Sequence, residues 1–286
     1  MSTLPGETRT SVSASAGSAP HHLHAMTTDR WLPAPPAYQL TCSQSWVHFQ
    51  PNVPQPLLLA LDPLSSSPTS AWSSHTGALR PAFEVFHEKP AHLFMIRDDL
   101  TAFEHIHPDV LANGRLLASP SFQRPGRYVG FLQVQPAGNP QPLLLTFPLQ
   151  VGSPTSAALP RFQEPISPLL QSVGEFSFSL RSVPTPGQPG MLTVGLSQRG
   201  YPLRHLTPFL GAPAHGVLVR YPSPGEPFGQ PGDFLHVHPA EQPTQTAQET
   251  LLQFHTQLPR PGRYKFWLQA QPGGQLLTVP WVFQAV

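Results

Sequence analysis

Lysine, cysteine and long apolar runs are scarce in this sequence, and each shortage excludes a class of protein. Only two of the 286 residues are lysines, charged residues make up 11%, and the formal net charge is +1, so the chain lacks the basic stripe that holds a nucleic-acid backbone. The single cysteine, Cys42, cannot form an intramolecular disulfide or a thiolate metal cluster. No run reaches the roughly eighteen apolar residues that a membrane-spanning helix requires. The composition therefore argues against a nucleic-acid partner and against a membrane span.

The beginning of the sequence lacks the charged start and apolar stretch of a signal peptide. A cytoplasmic location is therefore expected by default, and an extracytoplasmic one is the alternative if the true start lies upstream.

Proline and glycine, by contrast, are abundant. The 39 prolines and 21 glycines disfavour long helices, because proline breaks helix interiors and is tolerated mainly in turns and at strand edges. Short apolar runs separated by turn residues fill each half of the chain, and such runs are typical of β-strands. The pattern predicts an all-β protein of two tandem immunoglobulin-like β-sandwiches.

The two halves carry the same motifs in the same order. Pro-Ala-His is followed by His-x-His-Pro, by Arg-Pro-Gly-Arg-Tyr and by Leu-Gln-x-Gln-Pro, and these begin at residues 90, 105, 124 and 132 in one half and 213, 236, 260 and 268 in the other. An order that persists across different loop lengths indicates an internal duplication. We expect a disordered tail over residues 1–36, a first sandwich over 37–152, a linker over 153–173 and a second sandwich over 174–286.

The Arg-Pro-Gly-Arg-Tyr motif has an architectural interpretation. Pro-Gly favours a type II turn with glycine at the positive-φ position, and the tyrosine two residues later resembles the tyrosine corner of sandwich folds. No catalytic role is needed to account for it.

The histidines of the first copy are candidate metal ligands. Alternate residues of a strand face the same way, so the side chains of His105 and His107 project together. A symmetric hairpin around residues 97–100 would place His92 opposite His105. His87, which lies just before this strand, is a further candidate ligand.

The second copy repeats the arrangement with His215, His236 and His238, and a symmetric hairpin would place His215 opposite His236. Neutral imidazoles that converge on one point suit zinc or copper(II), and three ligands leave a coordination position open. The alternative is that the histidines are structural core residues, hydrogen-bonded to backbone carbonyls, in a module that binds no metal.

The first copy also resembles a known family. Residues 86–93, 98–108 and 125–128 read Phe-His-Glu-Lys-Pro-Ala-His-Leu, Asp-Asp-Leu-Thr-Ala-Phe-Glu-His-Ile-His-Pro and Pro-Gly-Arg-Tyr, and they look like the bacterial YtkA-like β-sandwich modules. The resemblance covers residues 80–151 and, more weakly, 205–286. Members of that family are typically exported or membrane-anchored and are often suspected of handling copper or other heavy metals, so the resemblance implies a metal-handling function.

No enzyme motif accompanies the histidines. The sequence has no nucleophile elbow, no phosphate-binding glycine loop and no His-Glu-x-x-His motif, and no carboxylate recurs beside both histidine sets as a general base. The sequence therefore predicts a non-catalytic protein that binds copper or zinc, with no organic cofactor. A protein partner is left open.

Overall fold

The computed structural model describes residues 14–17, 31–33, 38–42, 49–63, 81–86, 88–153, 164–209, 211–239 and 242–286. The chain forms two compact units, with the division after Phe162. Within the described ranges the regular structure is almost entirely β-strand, and the one helical segment is a single 3-10 turn at Pro231–Asp233. No helix in these ranges is long and apolar enough to cross a membrane.

The first unit contains ten strands among its described residues. They are β1 (Ala14–Gly17), β2 (Trp31–Pro33), β3 (Tyr38–Cys42), β4 (Leu57–Pro63), β5 (Ala91–Arg97), β6 (Phe103–Ile106), β7 (Asp109–Val110), β8 (Leu116–Ala118), β9 (Gly126–Val134) and β10 (Leu143–Val151). One sheet has the order β2-β1-β10-β9-β5-β6 and the other β3-β4-β8-β7.

The second unit has ten strands in the part of it that the structure describes. They are β11 (Leu170–Val173), β12 (Phe176–Ser182), β13 (Gly190–Gln198), β14 (Tyr201–Pro202), β15 (Ala214–Arg220), β16 (Phe234–Val237), β17 (Thr244–Gln245), β18 (Thr250–Thr256), β19 (Gly262–Ala270) and β20 (Leu277–Ala285). One sheet has the order β16-β15-β19-β20; the other has the order β11-β12-β13-β18-β17, with β14 also paired to β13.

The two units share one topology. The sheet order β6-β5-β9-β10 of the first unit reappears as β16-β15-β19-β20, and β3-β4-β8-β7 reappears as β12-β13-β18-β17. Every pairing within these sheets is antiparallel. This confirms two tandem immunoglobulin-like β-sandwiches that arose by internal duplication.

Strands also occur in segments that the sequence assigns to the tail and to the linker. Within residues 1–36, β1 pairs with β10 and β2 pairs with β1, and the rest of that segment lies outside the described residues. Within residues 153–173, β11 pairs with β12 and extends the second unit's sheet. The backbone N–H of Ser167 also donates to the carbonyl of Val282.

The tyrosine-corner prediction is confirmed in both units. The hydroxyl of Tyr128 donates to the carbonyl of Arg124 over 2.8 Å, and that of Tyr264 donates to the carbonyl of Arg260 over 2.7 Å. The turn itself differs from the prediction. Gly126 and Gly262 have positive φ values of 137° and 150°, well beyond the value near 80° of a type II turn, because each glycine already begins an extended strand.

Candidate metal centres

The three histidines of the first unit lie on the β5–β6 hairpin. Phe94 is paired with His105 and Leu93 with Ile106, which places His92 level with His107. The predicted pairing of His92 with His105 is therefore wrong by two residues, because the turn takes up residues 98–101 and not 97–100: the N–H of Arg97 donates to the carbonyl of Ala102. A shift of two residues keeps each side chain on its original face, so the imidazoles still meet.

The second unit departs from the predicted register in the same way. Val217 is paired with His236 and Gly216 with Val237, so His215 lies level with His238 and not with His236. His107 and His238 each lie one residue beyond the end of their strand, β6 or β16.

In both units the three rings converge on one point. The Nδ1 atom of His92 lies 3.4 Å from Nε2 of His105, and the ring centroid of His107 lies 4.9 Å from that of His92 and 4.6 Å from that of His105. One nitrogen from each of the three residues lies within 4.8 Å of the other two. We call this set the first imidazole cluster.

The second imidazole cluster consists of His215, His236 and His238. Nδ1 of His215 lies 3.4 Å from Nε2 of His236 and 2.8 Å from Nε2 of His238, and the three ligand nitrogens again lie within 4.8 Å of one another. Repetition of this geometry in two domains with different loops shows that it belongs to the duplicated fold.

One histidine of each cluster is oriented by a backbone carbonyl. Nε2 of His92 lies 3.1 Å from the carbonyl oxygen of Phe86, and Nε2 of His215 lies 2.6 Å from that of Phe209. Because a carbonyl can only accept, we infer that Nε2 carries the proton and that Nδ1, which faces the cluster, is the unprotonated nitrogen. Metal-bound histidines are commonly held in the correct tautomer by such an outer hydrogen bond.

The sequence prediction did not include these carbonyls, although both copies carry a signal for them. In each copy a phenylalanine precedes the first histidine by six residues. Phe86 pairs with Lys89 and Phe209 pairs with Ala212 in isolated antiparallel bridges, and Glu88 and Gly211 have positive φ values of 64° and 76°.

His107 has an unusual environment. Its Nε2 atom is buried and has no hydrogen-bond partner among the described residues. Burial and, to a smaller extent, the positive charge of Lys89 lower the pKa of His107 to about 4. The ring is therefore neutral at physiological pH, which is the protonation state that a metal ligand needs.

The clusters lie on the face of the sheet that points away from the sandwich core. Ala91, Leu93 and Met95 belong to the first unit's core, whereas His92 alternates with them and faces the opposite side. Phe94 shares the face of His92 and stacks on His105 with ring centroids 4.3 Å apart. His92, His215 and His236 are fully buried. Among the described residues, neither cluster includes a carboxylate or a cysteine.

His87 lies outside the described residues, so its role as a further ligand stays a prediction. The other six predicted ligands all fall within the two clusters.

Comparison with known proteins identifies a family but supplies no activity. The family model described as "Domain of unknown function (DUF8832)" matches residues 67–151 and 171–286. No curated protein matches the chain. The resemblance to YtkA-like modules stays a prediction.

Two solved structures match the chain at low identity. Fibronectin(III)-like modules of Clostridium thermocellum CbhA are 9% identical, with a TM-score of 0.19, and the match covers 85% of this chain and 91% of that chain. A putative membrane anchored protein from Corynebacterium diphtheriae is 11% identical, with a TM-score of 0.21, and the match covers 90% of this chain and 60% of that one. Likeness at this level carries no argument about function.

Proposed function

The chain belongs to the DUF8832 family of domains of unknown function, and we propose that it is a non-catalytic metal-binding protein that holds one zinc or copper ion at each imidazole cluster. The observation that carries the proposal is the convergence of three imidazole nitrogens within 4.8 Å of one another in both units. The resemblance of the first copy to YtkA-like modules points to the same function.

The spacing of the nitrogens supports coordination by one ion. With metal–nitrogen bonds of about 2.0–2.1 Å, two ligands of a tetrahedral site lie roughly 3.3–3.4 Å apart. The Nδ1 to Nε2 distance is 3.4 Å in both His92–His105 and His215–His236. One nitrogen pair in each cluster therefore already has the separation of two ligands of one ion, whereas Nδ1 of His215 and Nε2 of His238, which lie 2.8 Å apart, would have to separate by about 0.5 Å.

The choice of zinc or copper follows from the donor atoms. Imidazole nitrogen suits zinc, copper, iron and nickel, whereas calcium and magnesium prefer oxygen ligands. Three protein ligands leave a fourth position for water or another small ligand. The clusters contain no carboxylate among the described residues that would serve as a general base beside such a ligand, and this supports a binding function over a hydrolytic one.

A second candidate function is that of a structural or interaction module whose histidines bind no metal. The full burial of His92, His215 and His236 and the hydrogen bonds of His92 and His215 to backbone carbonyls favour it, because buried imidazoles in metal-free proteins are satisfied in the same way.

Elemental analysis of the purified protein separates the two functions. Metal binding predicts two zinc or copper ions per chain, one of which is lost when His105 and His107 are both replaced by alanine, without loss of the fold. His205 is exposed and His255 is partly exposed, and both lie outside the two clusters, so the His205→Ala/His255→Ala variant is a matched control that should retain both ions. A metal-free wild-type protein, together with a lower melting temperature for His105→Ala/His107→Ala, would establish the structural function instead.

A further inference from the structure

The hairpin that carries the second imidazole cluster has an unusually long loop. In the first unit, four residues (98–101) lie between the hydrogen-bonded Arg97 and Ala102, whereas twelve residues (221–232) lie between Arg220 and Asp233, the positions next to the paired Val219 and Phe234. A short turn dictates how the two strands of a hairpin align, but a long loop does not. The register of the second hairpin therefore needs another determinant.

Hydrophobic patterning cannot supply that determinant alone. A slip of one residue would turn every side chain to the wrong face, but a slip of two residues keeps all faces unchanged. In one direction a slip of two residues would pair Val217 with His238 in place of His236, and it would move His236 level with Val219, four residues along the strand from His215. The ligand set would then be dismantled even though the alternation of buried side chains was preserved.

A buried ion network joins the two ends of this hairpin. Arg220, the last residue of β15, is 3% exposed, and its Nε donates to Oδ1 of Asp233 over 2.8 Å while an Nη atom donates to Oδ2 over 3.1 Å. Asp233 immediately precedes β16 and is itself buried. This bidentate pair fixes the start of β16 against the end of β15.

Two further residues complete the network. Arg260 of the Arg-Pro-Gly-Arg-Tyr motif donates to both carboxylate oxygens of Asp233, over 2.8 and 3.1 Å. Glu226, in the long loop, accepts hydrogen bonds from both Arg220 and Arg260. The carbonyl of Arg260 is held in turn by the hydroxyl of Tyr264, so the network is anchored to the tyrosine corner.

We propose that Asp233 is the positioning residue of the second metal centre: its paired contacts with Arg220 and Arg260 select the β15–β16 register in which His236 and His238 meet His215. This inference rests on the proposed metal-binding function. Buried ionic groups that fix register are a documented use of such pairs. The first unit does not need a residue with the role of Asp233, because its four-residue turn, in which Leu100 has a φ of 61°, sets the strand register directly.

The test measures zinc affinity at the second cluster in the full chain, with the first cluster removed by His105→Ala/His107→Ala. In that background, Asp233→Asn should weaken zinc binding by about tenfold or more, and Asp233→Glu should retain more of the affinity than Asp233→Asn does. Glu249→Gln is the matched control, since Glu249 also accepts hydrogen bonds from an arginine and a neighbouring side chain, Arg181 and Ser179, but does so away from this hairpin. It should lower thermal stability and leave zinc affinity unchanged.

Contacts measured in the metal-free protein test the strand register separately from metal binding. Nuclear Overhauser contacts should join Val217 to His236 in the wild-type protein and Val217 to His238 in Asp233→Asn. If the wild-type second cluster binds no zinc, the proposed function fails there, and these contacts still decide the question of register.

A loop graft covers the case in which Asp233→Asn does not fold. Replacement of residues 220–233 by residues 97–102 supplies a short turn and removes Asp233, so zinc affinity should stay near the wild-type value. Any of three results would overturn the inference. In the first, Asp233→Asn binds zinc within about twofold of wild type and keeps the contact between Val217 and His236. In the second, Glu249→Gln weakens zinc binding as much as Asp233→Asn does, and in the third, the folded graft loses zinc binding.

Discussion

Removal of the buried hydroxyl of Tyr264 should destabilise the second domain at neutral pH and protect it at alkaline pH. The tyrosine is fully buried, and its hydroxyl donates to the carbonyl of Arg260 over 2.7 Å. In Tyr264→Phe that carbonyl loses its donor, at a cost of about 1–2 kcal/mol in the free energy of unfolding. For a domain of this size, such a cost lowers the melting temperature by roughly 3–10 °C.

The alkaline part of the prediction follows from the tyrosine's pKa. Burial raises the pKa of Tyr264 from 10.0 to about 12, although the hydrogen bond to Arg260 opposes the shift. Between these values the unfolded chain loses the phenolic proton while the folded chain keeps it, so stability that is fully present below pH 10 falls as the pH rises. Two pKa units correspond to about 2.7 kcal/mol.

Thermal unfolding over a series of alkaline buffers measures both effects. Wild type and Tyr264→Phe should differ most at neutral pH, and their melting temperatures should converge or cross as the pH approaches about 12. Tyr201→Phe is the control, because Tyr201 is 75% exposed. A constant difference in melting temperature between wild type and Tyr264→Phe across the alkaline range would refute the reasoning. Tyr128→Phe should show the same behaviour in the first domain, where burial again raises the tyrosine pKa to about 12.

Three other predictions concern acid, packing and metal removal. The pKa of His107 is about 4 in the folded chain and near 6.5 when unfolded, so the metal-free first domain should lose up to about 2 kcal/mol of stability as the pH falls through this window, after allowance for the partial exposure of the ring. An acid titration of His107→Gln should lack that loss. Gly130→Ala should destabilise the first domain by about 1–3 kcal/mol, because a Cβ at this position would overlap the Phe147 ring. Calorimetry of the double variant Gly130→Ala/Phe147→Leu should show that part of the lost stability is recovered. Zinc at one hundred times its dissociation constant should add about 2.7 kcal/mol to the free energy of unfolding of each domain that binds it. A chelator should remove this added stability from the wild-type protein. It should have no effect on a domain whose cluster histidines are replaced by alanine.

Much of the candidate site could be predicted from local sequence pattern. The period of two along a strand is enough to place His105 with His107, and His236 with His238, on shared faces. The repetition of Pro-Ala-His ahead of each pair identifies the third member. The structure places Met95 in the core, on the face opposite His92.

The register of the hairpins could not be obtained in this way. A symmetric turn is the simplest assumption for both copies, and it places His92 and His215 two residues out of register with the facing strand. In the first unit the turn conformation at residues 98–101 decides the alignment, and in the second we infer that Asp233 and its two arginines decide it. Both depend on contacts between residues that the alternation of apolar and polar positions does not encode.

The sequence by itself determined the duplication, the all-β class and the identity of six of the predicted ligands, because repeats and strand periodicity are properties of neighbouring residues. Only the tertiary structure decided that the imidazoles meet on the face opposite the core and that the carbonyls of Phe86 and Phe209 orient one ring in each cluster. The physical reason is that strand pairing, and the hydrogen bonds that fix its register, join residues far apart in the chain, where the pattern of near neighbours carries no information about distance.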